Sequence, residues 1–114
     1  METVIAEKFH TMLDRDEYNS RMKDFFDCYQ LLTKRSLDDN ILYEAIKATF
    51  DNRELEYNPK LKLFTAEFVN DANRQMQWKL FLRKIQWKEE LSFNVVMQAI
   101  TDRLKPMAEK YWDK

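Results

Sequence analysis

Three charged residues fall at positions where helical spacing would place apolar side chains, and their chemistry is that of an anion-binding site. Lys8 lies between Val4 and Met12 on one helical face, and Arg21 and Asp24 lie on or beside the apolar face of the next segment. A charge directed toward a protein interior is costly unless it has a partner or a ligand. A lysine and an arginine beside a carboxylate can hold a polyphosphate and orient an attacking group.

A structural role is the alternative interpretation of the same charges. An interior Lys–Asp or Arg–Asp pair often does no more than tie two helices together. The long stems of lysine and arginine can also run along apolar surface to reach water. Lys23 and Asp27 lie on the far side of the second segment, so the pattern predicts that they face solvent. The pattern leaves both interpretations of the inward charges open.

Two helices must position these residues. Apolar residues at helical spacing predict the first helix over residues 3–15 and the second over residues 21–34, with Ser20 as the cap of the second. The charged segment DRDEYN joins them. Because so short a connection makes consecutive helices antiparallel neighbours, we expect the three inward charges to converge on one pocket.

The rest of the chain is also predicted to be helical. Residues 37–50, 71–87 and 93–104 have helical spacing, and the chain of 114 residues contains no glycine and two prolines. That composition is typical of helices joined by short polar loops. We therefore predict an all-α fold: a single helical bundle of about five helices with no sheet, forming one domain over residues 1–114.

Finer predictions concern the caps and several side chains. Ser36 and Ser92 are predicted to cap the third and fifth helices. Pro106 interrupts the last run, so the tail after it is either a bent continuation or a separate short helix. His10 is predicted to lie on the solvated outer face of the first helix. The apolar side chains predicted to point inward from the fourth helix are Met76, Leu80, Phe81, Leu82 and Ile85.

The composition argues against several function classes. One histidine and one cysteine leave no residues for a zinc site or a Ser-His-Asp triad, and without glycine there is no Gly-rich phosphate loop. The acids of LDDN at residues 37–40 are interpreted as a helix start, so no metal site is predicted. The net charge of −1 and the lack of a long apolar run give no preference for a membrane. A single cysteine favours a reducing, cytoplasmic location.

Two motifs resemble a known family. ETVIAEKFHTML followed by NSRMKDFFDCYQLL is similar to the C-terminal half of AbiEii/AbiGii-type nucleotidyltransferase toxins. The family pattern there is an AEK helix, a short connector and a helix reading R-x-K/R-D-F/I-x-D. LYEAIKATFDNR and RQMQWKLFLRKI resemble the family's later helices, so the resemblance spans nearly the whole chain. The residues that match the paired motif are Lys8, Arg21, Lys23, Asp24 and Asp27.

The resemblance implies roles for these residues. Lys8 is expected to contact nucleotide phosphates and Asp24 to help form the active site, with Arg21 and Asp27 as supporting polar groups. The implied protein is a bacterial toxin of a toxin–antitoxin or abortive-infection system. It would transfer a nucleotide from an NTP to an acceptor such as RNA, and an antitoxin would be its partner.

The sequence also departs from the family pattern. Family members carry an N-terminal nucleotidyltransferase fold, in which a glycine turn is followed by an acidic D-x-D-like pair that holds Mg²⁺. This chain has no glycine and therefore lacks such a turn followed by such a pair. We therefore expect the chain to act as the helical portion of such an enzyme. It would need the N-terminal domain, Mg²⁺ and an NTP, and would be inactive alone, with no cofactor of its own. The alternative is a stand-alone helical interaction module with structural salt bridges.

Overall fold

Residues 1–113 form a bundle of six α-helices. The computed structural model describes residues 1–113, and no strand occurs among them. A 3₁₀ turn, Asp16–Tyr18, separates the first two helices. The all-α prediction is confirmed, with one short helix more than the five expected. In chain order the helices are α1 (Glu2–Arg15), α2 (Met22–Lys34), α3 (Asp39–Arg53), α4 (Ala66–Asn70), α5 (Ala72–Lys84) and α6 (Phe93–Trp112).

Four buried phenylalanines, one from each long helix except α5, join the helices in pairs. The rings of Phe9 in α1 and Phe50 in α3 are 5.8 Å apart, and those of Phe25 in α2 and Phe93 in α6 are 5.3 Å apart. All four side chains are fully excluded from solvent. Burying one such side chain contributes about 1.5–3 kcal/mol. The two pairs meet where α1 packs against α2, and this contact brings the two sequence motifs together.

The caps differ in part from the sequence prediction. Ser92 is confirmed as the cap of α6, because its hydroxyl accepts the N–H of Val95 at 3.1 Å. Ser20 does not cap α2, which begins two residues later. Ser36 does not cap α3 either. The carboxylate of Asp38 takes that place and accepts two backbone N–H groups of the first turn, which is the geometry an N-cap acid provides.

Helix α6 runs without interruption through Pro106, so the alternative of a separate terminal helix was wrong. Proline removes one hydrogen bond from a helix, but buried side chains lie on both sides of it. Leu104 precedes it, and Ala108 and Tyr111 follow it. Their packing offsets the missing bond. At 20 residues α6 is the longest helix, yet no helix in residues 1–113 has the length and apolar character needed to cross a membrane.

Two predictions of burial were wrong. His10 is buried, with 8% of its surface exposed, because α3 packs over the face of α1 that the wheel assigned to solvent. Its ring centre lies 6.4 Å from that of Phe50. Met76 and Leu80 in α5, and Ile85 just after it, were predicted to point inward but are exposed. Phe81 and Leu82 of the same predicted set do pack against the core.

Helix α5 lies at the edge of the bundle and contacts the core with only one side. Trp78 marks that side: it is 2% exposed, and its indole N–H donates to the carbonyl of Leu91 at 2.8 Å. Tryptophan is the largest apolar side chain and its N–H needs a partner when buried. Its position therefore fixes which face of α5 is turned to solvent.

The loop between α3 and α4 is attached to the end of α1 by a single carboxylate. Asp16 accepts the backbone N–H groups of Lys62 (2.9 and 3.0 Å to its two oxygens) and Leu63 (2.8 Å). Asp16 has a φ of +47°, a conformation that costs roughly 1–3 kcal/mol in a non-glycine residue. The hydrogen bonds hold it there. They also seat Leu63, which is fully buried.

Asp16→Ala should lower the free energy of unfolding by about 2–3 kcal/mol, because charge-assisted hydrogen bonds are lost and two backbone N–H groups are left unpaired. Urea denaturation followed by circular dichroism measures this. Asp14→Ala is the matched control, since Asp14 is exposed and lies in the same segment. Its effect should stay within about 0.5 kcal/mol. Equal effects of the two substitutions would show that Asp16 does not secure the loop.

Candidate functional site

Lys8 bridges the two helices that carry the sequence motifs. Its ammonium nitrogen lies 3.4 Å from Oδ1 of Asp24 and 3.3 Å from Oδ2 of Asp27. Lys8 is in the middle of α1, and the two aspartates are three residues apart in α2. Residues three apart share one helix face, so both carboxylates point to the same side of α2. The predicted convergence of Lys8 and Asp24 is found in the structure.

Two further cations extend this arrangement along α2. Nε of Arg21 lies 3.5 Å from Oδ2 of Asp24, and the ammonium of Lys23 lies 2.6 Å from Oδ2 of Asp27. We call these five residues the Lys8 cluster. It contains three cations and two carboxylates and therefore carries one net positive charge.

The cluster lies at the margin of the core. The side chain of Asp24 is 7% exposed, that of Lys8 is 21% and that of Asp27 is 26%, whereas Arg21 and Lys23 are 58% and 68% exposed. Ion pairs in such partly buried positions are screened less by salt than those on the surface. Arg21 and Lys23 are thus more accessible to solvent than the Lys8 ammonium.

Two of the sequence expectations about exposure were wrong. Arg21 was expected near the centre of the apolar face. It precedes the first residue of α2 and has a non-helical backbone, with ψ of 85°, so a helical wheel does not apply to it. Asp27 was expected near solvent. The neighbouring helix α1 brings Lys8 over it, and the side chain is partly buried as a result.

The N-terminus of α2 contributes to the site's electrostatics. Asp24 lies in the first turn of this helix, where unpaired backbone N–H groups create a partial positive charge. A carboxylate is stabilised at that position by about 0.3–1 kcal/mol when exposed and by more when partly buried. The helix end, Lys8 and Arg21 therefore all act on one carboxylate and hold it in place.

Cys28 lies one turn beyond Asp24 and is completely buried. Burial in apolar surroundings is the main reason that the pKa of the Cys28 thiol is raised to about 12. The positive charge of Lys8 lowers this pKa, and the negative charges of Asp24 and Asp27 raise it further. A thiol in this condition is neither a nucleophile nor a metal ligand at neutral pH. Cys28 therefore belongs to the core beneath the cluster.

A cavity of about 490 Å³ opens at the connection between α1 and α2. Asn19 and Arg74 are among its lining residues. Asn19 is 1% exposed, and its Oδ1 accepts the N–H of Arg21 at 2.9 Å. Its amide nitrogen has no hydrogen-bond partner within residues 1–113. Sequence reasoning missed this residue, although an asparagine just before a helix start is a common helix-start signal.

The residues do not form a metal site of their own. Within residues 1–113 there is no group of three His, Cys, Asp or Glu side chains that could hold a metal ion. The carboxylates of Asp24 and Asp27 already neutralise Lys8 and its neighbours. In LDDN, Asp38 caps α3 and Asp39 pairs with Arg103 at 2.6 Å. The Mg²⁺ that the resemblance implies does not fit these residues.

Comparison with known proteins agrees with the two motifs. A family model matches most of the chain. The model, described as nucleotidyl transferase AbiEii toxin of a type IV toxin–antitoxin system, matches residues 1–100. The chain belongs to the AbiEii family. No curated protein and no solved structure gave a significant match.

Cys28 gives a test of the packing beneath the cluster. With a pKa of about 12, only about one thiol in ten thousand is ionised at pH 8, and the thiolate is the reactive form. The native protein should therefore not react with Ellman's reagent over an hour at pH 8, and should react completely in 8 M urea.

The Lys8→Met variant serves as the second arm of this test. Removing the positive charge of Lys8 removes the one influence that lowers the thiol pKa, so a folded variant should be no more reactive than the wild type. Rapid labelling of the native wild-type protein would show that the α1–α2 contact is open, contrary to the structure.

Proposed function

We propose that this chain supplies the phosphate-contacting side of a nucleotidyltransferase active site, with Lys8 and Asp24 as its catalytic residues. Membership of the AbiEii family supports a nucleotide transfer by a toxin of a toxin–antitoxin system. The observation that carries the residue assignment is the position of Lys8: a partly exposed ammonium held between two carboxylates of the neighbouring helix.

The geometry suits an ammonium that must stay in one place while it binds a phosphate. Lysine has three N–H donors, and two carboxylate oxygens lie close enough to accept from them. The remaining donor capacity is available to a phosphate oxygen. A cation held in this way needs no reorganisation when charge develops in the transition state, and such preorganised groups contribute most to catalysis.

Asp24 and Arg21 have complementary roles in this proposal. Asp24 fixes the Lys8 ammonium and offers a carboxylate oxygen to the hydroxyl of the acceptor, which it orients. Arg21, largely exposed beside it, offers a second cation to the phosphates, and Asp27 holds Lys8 from the other side. The hydroxyl oxygen bonds to the α-phosphorus of the NTP while the bond from that phosphorus to the oxygen bridging to the β-phosphorus breaks. The hydroxyl proton is released to solvent water, and pyrophosphate leaves.

The other half of the proposed enzyme is an N-terminal nucleotidyltransferase fold. It would hold Mg²⁺, since the residues described here do not. We propose RNA as the acceptor, the cytoplasm as the location, and an antitoxin as the counterpart of the toxin. The 114-residue chain alone should transfer no nucleotide, because the groups that bind the metal lie outside it.

A stand-alone interaction module is the competing function. The low exposure of Asp24 favours it, because a carboxylate that is 7% exposed often does no more than tie two helices together. The two functions predict different consequences of removing the charges. A structural pair affects stability alone, whereas a catalytic pair affects transfer in a protein that remains folded.

Lys8→Met and Asp24→Asn should each reduce transfer about 100-fold or more, the usual loss when a transition-state contact is removed. The assay measures incorporation of labelled nucleotide from each of the four NTPs into RNA, with Mg²⁺. It uses a protein that includes the nucleotidyltransferase fold. Circular dichroism should show native helix content in both variants.

The ion pair between Arg53 and Glu7 provides the matched control. It joins α1 to α3 with a distance of 2.9 Å, so Arg53→Met and Glu7→Gln also break a link between helices. These variants should keep normal transfer. If the Lys8 and Asp24 variants transferred as well as these controls, the cluster would be a structural tie and the assignment would be wrong.

A further inference from the structure

One stretch of the chain carries basic residues and no acidic ones. Residues 72–88, which comprise α5 and the turn after it, contain five lysines and arginines and no aspartate or glutamate. The remainder of the chain has 14 basic and 20 acidic residues. The near-neutral total therefore conceals a strong local asymmetry of charge. Such asymmetry indicates where a polyanion would be attracted.

Four of these cations are turned to solvent. Lys79, Arg83, Lys84 and Lys88 are exposed, and within residues 1–113 none of the four has an ion-pair partner. The fifth, Arg74, is largely buried and donates to two backbone carbonyls. We call the surface formed by the four exposed cations the α5 basic face.

The packing of α5 on the core keeps the α5 basic face turned to solvent. Trp78 is buried on the opposite side of the helix and its N–H is bonded to the chain that follows. Lys79 and Arg83 are one turn apart and lie together on the outer side, where Cβ atoms are about 5–6 Å apart. Met76 and Leu80 are exposed on the same helix. The packing of α5 on the core thus keeps Lys79 and Arg83 on the outer side.

We propose that the α5 basic face binds the phosphate backbone of RNA. The proposal rests on the proposed function only in taking RNA as the polyanion, since RNA is the acceptor proposed there. Each lysine or arginine that contacts a phosphate releases counterions, and this release supplies most of the affinity that does not depend on sequence. The Lys8 cluster would contact the NTP, and α5 would hold the acceptor.

RNA is the polyanion that fits this surface. The stretch contains no acid over 17 residues, and a nucleic-acid backbone carries a phosphate at every nucleotide, so each cation of the α5 basic face can meet one. The exposed amides of Gln77 and Gln86 lie in the same stretch, and amides commonly add hydrogen bonds to phosphate and sugar oxygens. Met76 and Leu80 offer apolar surface to ribose and base faces between the charges.

The helix dipole explains only part of the pattern. Cations in the last turn of a helix are favoured by the partial negative charge there, and this accounts for Arg83 and Lys84. It does not account for Lys79, which lies earlier in the helix, or for Lys88, which lies beyond its end. It also does not explain why acids are missing from the whole stretch.

The test compares two triple variants with the same change in charge. Each replaces two lysines and one arginine by glutamine, at exposed positions that have no ion-pair partner in residues 1–113. The first removes most of the α5 basic face, and the second removes three cations from α2, α3 and the turn between them. The substitutions are Lys79→Gln, Arg83→Gln and Lys84→Gln in the first, and Lys34→Gln, Arg35→Gln and Lys47→Gln in the second.

Binding of the 114-residue chain to a fluorescently labelled RNA hairpin is measured by anisotropy between 50 and 300 mM KCl. Each phosphate contact contributes roughly 0.7–0.9 to the slope of log K against log salt. The α5 variant should therefore reduce the slope by about 2 and weaken binding at least tenfold at low salt. The control variant should leave the slope unchanged. Equal losses in the two variants, or no RNA binding by the wild type, would overturn the proposal.

The same variants separate this proposal from the proposed function. In the transfer assay, the α5 variant should raise the KM for RNA and leave the KM for NTP unchanged, whereas Lys8→Met should leave RNA binding unchanged. If Lys8→Met transferred normally while the α5 variant lost RNA, the active-site assignment would fail and the RNA surface would stand. If instead Lys8→Met lost transfer while the α5 variant bound RNA normally, the active-site assignment would stand and only the proposal for the α5 basic face would be rejected.

Discussion

The charge of Lys8 is the constraint on which the candidate site depends. An ammonium placed on the inward side of α1 must be neutralised, because an unpaired charge at the margin of a core costs several kcal/mol. Helix α2 supplies the partners, through Asp24 and Asp27. The requirement fixes both the side on which α2 packs and its register along α1. A shift of one residue in α2 would turn both carboxylates away from the ammonium.

The aromatic core makes that arrangement rigid. Phe9 lies one residue after Lys8, and Phe25 lies one residue after Asp24. Each ring is buried against a different helix, Phe9 against α3 and Phe25 against α6. The charged residues are thus attached to backbone whose adjacent side chains cannot move without opening the core. Rigid support of this kind is what a site needs if its groups are to stay oriented through a reaction.

The sequence predicted the part of the site that depends on helix periodicity. Lys8 and Asp24 meet because each lies on the inward face of a regular helix and the connection between the helices is short. The positions that were mispredicted depend on neighbours that periodicity does not reveal. His10 is buried because α3 covers it, and Arg21 is exposed because α2 begins after it. Helix α5 shows the same limit, because a helical wheel does not reveal that α5 packs on the core with the side that carries Trp78.

The most direct test of the central claim replaces the ion pair by apolar residues. Apolar residues of similar size often maintain or increase stability in place of a buried ion pair, so the double variant Lys8→Met, Asp24→Leu should unfold within about 1 kcal/mol of the wild type. Transfer of labelled nucleotide to RNA is then measured with a protein that includes the nucleotidyltransferase fold. If the pair is catalytic, the stable double variant will transfer no nucleotide above background. A double variant that is stable and transfers at the wild-type rate would contradict the account, because the two charges would then serve only to join α1 to α2.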